Sequence, residues 1–118
     1  MAEPRPDVTG KGPNLMRETL AIFKEIDGMC ASWSGGAADK IKSALVEKAH
    51  EMEPLLQRGY MKTVKGGEIA WDCKQLALEL KSSVEKKDEA GAAASLDKLG
   101  TEVDELIHKV KTFVIRMT

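Results

Sequence analysis

The sequence predicts an all-α protein: an up-down-up-down four-helix bundle preceded by an extended, proline-rich N-terminal arm. Three observations carry that prediction. Apolar residues recur every three or four positions through most of the 118-residue chain, and no stretch alternates with the two-residue period of a strand. Aromatic residues make up only 4% of the chain, two Phe, two Trp and one Tyr, too few to fill the pleated faces of a sandwich or barrel. Glycine pairs and prolines punctuate the periodic stretches and leave short connections, which set neighbouring helices antiparallel. With 42% hydrophobic and 31% charged residues, the length and balance are those of one folded domain.

The first thirteen residues hold three of the four prolines, Pro4, Pro6 and Pro13, together with Gly10 and Gly12. Proline fixes φ and lacks an amide donor, so 1–13 reads as an extended arm and 14–118 as the bundle. Asn14 is the expected N-cap of the first helix. Its apolar stripe is Leu15, Ile22, Ile26, Met29 and Trp33, widened by Met16, Leu20 and Phe23. Gly35-Gly36 should stop it, with Asp27-Gly28 as an earlier point of fraying. The second helix carries Ile41, Ala44, Leu45, Ala49, Met52 and Leu56. Pro54 should kink it, because it cannot donate to the carbonyl of His50. From Gly59 to Gly67 a bend and a helix start fit equally well.

Ile69, Cys73, Leu76, Leu80 and Val84 mark the third helix. Asp88 is the expected N-cap of the fourth. There Ala92, Leu96, Leu99, Val103, Leu106, Val110, Phe113 and Met117 alternate steps of four and three in one continuous seam.

Charge excludes some functions. Eighteen basic and nineteen acidic side chains leave a net charge of -1, so no general attraction to nucleic acid or anionic lipid is expected. No apolar run is long enough to span a membrane. Residues 1–6 lack the apolar core of a secretory signal, which fits a cytoplasmic chain or a mature form whose targeting segment has been removed. There is no Cys-x-x-Cys, hence no zinc-ribbon, thioredoxin-like or c-type haem signature. Cys30 and Cys73 fall on or near apolar stripes. They read as two buried thiols, or as a bridge between the first and third helices in an oxidising compartment.

Two Glu-x-x-His pairs, Glu47/His50 and Glu105/His108, have the spacing used in di-iron carboxylate bundles, with Glu18 or Glu25 and Glu79 as further ligands. The face argues against that use. At 100° per residue, Glu105 and His108 lie about 140–160° from the centre of their helix's seam, and the second-helix pair is similarly displaced. No metal or other cofactor is therefore expected. Gly35-Gly36 and Gly66-Gly67 match no phosphate-binding fingerprint and read as helix punctuation. No nucleophile motif is present, so an enzyme is not expected.

From Pro54 onward the chain resembles the PsbQ family, the extrinsic lumenal subunits of photosystem II. The resemblance rests on Pro54-Leu55-Leu56-x-Arg58 with Val64 six residues later, and on Glu79-Leu80-Lys81-Ser82-Ser83-Val84. It continues through Lys86-Lys87-Asp88-Glu89, then Ser95-Leu96-Asp97-Lys98-Leu99, with Val103, Ile107 and Val110 beyond. It covers about residues 54–113. The family often has a tryptophan directly after that arginine, where this chain has Gly59-Tyr60, and the first two helices match only in pattern.

The resemblance implies a non-enzymatic four-helix subunit, peripheral to the thylakoid membrane in the lumen. Such a subunit helps the oxygen-evolving complex retain calcium and chloride without ligating its manganese. Candidate docking residues are then Pro4, Arg5, Pro6 and Lys11 of the arm, Arg58, Tyr60 and Trp71 in and near the family-like segment, and the basic corner Lys81, Lys86 and Lys87. Trp71 and Tyr60 lie off the main stripes, which favours an interface over a core role. The alternatives are a cytoplasmic helical adaptor and a metal- or ligand-binding bundle.

Overall fold

The computed structural model describes residues 7–33 and 35–113, and these are almost entirely helical, with no strand among them. Four helices, α1 (Gly12–Cys30), α2 (Gly36–Met52), α3 (Val64–Glu85) and α4 (Glu89–Thr112), carry the fold. Two short 3-10 turns, Glu53–Gln57 and Gly59–Lys62, join α2 to α3. The predicted stripes supply the core: Leu15, Ile22 and Ile26 of α1, Ile41 and Leu45 of α2, Cys73 and Leu80 of α3, and Leu99, Val103 and Leu106 of α4 are all buried. In α4 the buried row steps through Ser95 where Leu96 was expected, leaving Leu96 half-buried. Phe113 lies just past the helix, 38% exposed, and Met117 falls outside the described residues.

Helix pairing is not a ring taken in chain order. The broadest interfaces are α1 with α3 and α3 with α4, whereas α2 packs more thinly on α1 and on α4. Lys74 Nζ lies 2.9 Å from Glu18 and Lys81 Nζ lies 2.7 Å from Glu25. Seven residues on in one helix is seven residues on in the other, so α1 and α3 are parallel neighbours. Short connections were expected to make neighbours antiparallel. The 53–63 segment instead is long enough to cross one end of the bundle and return α3 beside α1.

Several helix ends differ from the sequence reading. α1 begins at Gly12 with Lys11 at its N-cap, so 7–13 is not an extended arm; Val8 is buried and its carbonyl accepts from the Lys11 amide. Pro13 sits in the first turn, where its missing N–H has no helical partner to lose. Asn14 is already inside the helix and its side chain accepts from Arg17 instead of capping. α1 ends at Cys30, ahead of the glycine pair, and Trp33 tucks into the core with its amide donating to the Cys30 carbonyl. Pro54 does not kink α2. The helix stops at Met52 and the proline opens the 3-10 turn, since its fixed φ suits a first turn but not a continuing ladder.

The ambiguous 59–67 stretch resolves as a turn followed by a capped helix. Thr63 accepts from the Gly66 amide at 3.0 Å, and Asp88 caps α4 in the same way on Gly91, as expected. Gly66 and Gly67 are not punctuation. A Cβ on Gly66 would collide with the Tyr60 carbonyl, and one on Gly67 with the Val8 carbonyl, so these glycines let the crossover and the N-terminal segment press onto α3.

Candidate docking surface

The bundle has two ends. The N-termini of α1 and α3 meet the 53–63 crossover at one end, and the α3–α4 corner forms the other. The twenty-two residues of α3 separate the ends by about 33 Å. Lys11, Arg58 and Tyr60 belong to the crossover end; Lys81, Lys86 and Lys87 belong to the corner end. The candidate docking residues therefore do not form one patch. Pro4, Arg5 and Pro6 lie outside the described residues.

Tyr60 is a correction. It is buried, packed edge-to-face on Phe113 with ring centroids 5.4 Å apart, and cannot offer its ring to a partner. Burial, then the charges of Glu105 and Glu68, pushes its phenol above the usual range. The crossover has to plug the open bundle end, and Tyr60 is the ring available there. Lys81 is already engaged: Glu25 accepts its hydrogen bond at 2.7 Å and raises its pKa. Lys86 and Lys87 are exposed, and Lys87 turns the corner with a positive φ of 54°. Arg58 is exposed in an extended residue between the two 3-10 turns.

Trp71 is half-buried at the edge of the core, with Lys74 Nζ 5.9 Å from the ring centre. Sequence reasoning missed its companions. Val64 and Leu78 stand one heptad before and after it on the same outward stripe of α3, 51% and 39% exposed. The period was visible in the sequence, but it runs beside the stronger core stripe of the same helix and was masked by it.

Among the described residues, three depressions stand out. One, between α1 and α2, has a volume of about 300 Å³, with Leu20, Phe23, Leu45 and Val46 on its walls. Another, of about 390 Å³ between α3 and α4, is polar and holds Glu68, Asp72, Glu102 and Glu105 with Lys65 and Lys109. The third, of about 480 Å³, runs between the α2 end of the crossover and α4. Pro54, Leu55, Ile107 and Val110 line it, with Arg58 and Lys111 beside them. Its acidic residues, Glu51 and Asp104, are both held by Lys48, at 3.5 and 3.1 Å. Burial alone would lower the Lys48 pKa, but the two carboxylates outweigh it and the net shift is upward. Glu51 Oε2 is shielded from solvent, with Lys48 Nζ 3.5 Å away as its charge partner.

Glu47, His50, Glu105 and His108 are all exposed, while Glu18 and Glu25 are taken up by lysines. Among the described residues, no group of three or more His, Cys, Asp or Glu side chains is placed to share a metal ion. Cys30 and Cys73 are buried free thiols. The parallel register of α1 and α3 sets them about 20 Å apart along the bundle, well beyond the span of a disulfide. Burial, aided by Glu102, Asp72 and Glu105, pushes the Cys73 thiol up to about 12. No described helix is long and apolar enough to cross a membrane. Comparison with family models, with curated proteins and with solved structures finds no match to this chain.

Proposed function

We propose that this chain is a non-catalytic docking subunit, and that its partner is photosystem II, approached from the thylakoid lumen. In this reading it is an up-down-up-down bundle that helps the oxygen-evolving complex retain calcium and chloride, with the proline-rich residues ahead of the described segment serving as a docking strap. The partner's identity and the compartment rest on the resemblance over 54–113. The docking role rests on one observation: Val64 and Leu78 stand exposed on the outside of α3, with the half-buried Trp71 between them on the same stripe. The exposed Lys86 and Lys87 give a second, charged contact at the far end.

The test is fractionation of the native source. Co-sedimentation with thylakoid membranes and release by high salt are expected, because a charge-mediated extrinsic contact is screened. Recovery only from soluble cytosol would overturn the photosystem reading and leave a cytoplasmic adaptor.

A further inference from the structure

We infer that the groove between the crossover and α4 is a binding site for an acidic, apolar peptide segment of a partner protein. This rests on the docking role but not on the identity of the partner. The residues that open the family-like motif build the site: Pro54 and Leu55 form its apolar wall with Ile107 and Val110, and Arg58 stands beside it with Lys111. The motif thus has a spatial meaning that its linear form does not show.

Charge selects the ligand. Glu51 and Asp104 share one cation, Lys48, which lies between them. Neither Arg58 nor Lys111 has an ion-pair or hydrogen-bond partner for its side chain among the described residues. With three cations against two carboxylates, one positive charge is in excess next to about 480 Å³ of mainly apolar groove. A carboxylate flanked by Leu, Ile or Phe matches both features, and guanidinium binds carboxylate in a two-pronged geometry that lysine supplements as a point charge.

Two measurements test the site. The first titrates the full chain with the peptide acetyl-Leu-Asp-Leu-Glu-Leu-amide while following methyl resonances by NMR. Saturable shifts are expected at Leu55, Ile107 and Val110, with binding at least tenfold weaker for the Asn/Gln version of the peptide and for Arg58→Glu/Lys111→Glu. The exposed Lys98→Glu on the distant half of α4 should bind as the parent does, and circular dichroism should show each variant folded. Equal binding of the charged and amide peptides, or shifts confined to other surfaces, would overturn the site. The second measures rebinding to photosystem II membranes stripped by high salt. Parent chain that fails to rebind would overturn the photosystem partner while the peptide titration still decides the groove. Parent chain that rebinds equally well with and without Arg58→Glu/Lys111→Glu would overturn the groove as the docking site.

Discussion

Glu25 accepts a hydrogen bond from Lys81 at 2.7 Å, and one heptad earlier on both helices Glu18 meets Lys74 at 2.9 Å. This repeated pairing records the register of α1 on α3. Each pair is exposed, so each contributes little stability singly. Glu25→Lys should lower the thermal midpoint by no more than about a few degrees, and Glu25→Lys/Lys81→Glu should recover most of the loss. No recovery in the double variant would mean that the two side chains do not meet in solution.

Leu99 is completely buried at the centre of the α4 seam. Leu99→Ala removes its packing and leaves a cavity that rigid helices fill poorly, so destabilisation of about 2–5 kcal/mol is expected. Chemical denaturation with an unchanged midpoint would show that the seam is not the core.

Glycines with the same helical assignment should answer differently to alanine. Gly28 lies in α1 with open space around a would-be Cβ, so Gly28→Ala should stabilise by about 0.5–1 kcal/mol through helix propensity and unfolded-state entropy. Gly66→Ala should instead destabilise, because the new methyl meets the backbone of the crossover. Comparing the two melting curves separates a propensity effect from a close approach.

Cys73 supplies a pH dependence. Its folded-state thiol titrates near 12, against an ordinary value of 9.0. In the window between them the unfolded chain releases a proton that the folded chain holds, so stability must fall as pH rises. By pH 10 the loss is about 1 kcal/mol. Cys73→Ala should flatten this decline between pH 8 and 10, though it lowers stability at neutral pH. Native Cys73 should also resist a thiol reagent until the bundle unfolds.

The thin seating of α2 makes its local stability testable. It touches α1 and α4 through narrower interfaces than those joining α3 to its neighbours, and a groove opens on either side of it. Amide exchange should therefore be faster in Ile41–Ala49 than in Ala70–Leu80. Equal protection in the two helices would show that α2 unfolds only with the whole bundle.

The helices and their inward faces were legible because a 3.6-residue apolar period is a local property. Leu99, Val103 and Leu106 can be assigned to one face without knowing what they pack against. Capping by Asp88 was legible for the same reason, as its side chain reaches only three residues ahead. The exposure of His50 and His108 followed from helix angles alone. Tyr60 and Lys81 were not legible as they stand, since an off-stripe ring and a basic residue look available until a distant element covers or pairs them.

By itself, then, the sequence determined that the chain is helical, where its periodic segments lie, and which side chains turn inward. It did so because spacing and capping act within a turn or two of helix. Only the tertiary structure decided that α3 lies parallel beside α1 and that the crossover plugs one end with Tyr60. Tertiary structure likewise brought Arg58 and Lys111 to one apolar groove. These features depend on which stripe meets which. Heptad stripes rich in Leu, Ile and Ala are nearly interchangeable as partners, so pairing is settled by close approach at Gly66 and Gly67, by the reach of the 53–63 connection, and by the Glu18–Lys74 and Glu25–Lys81 pairs.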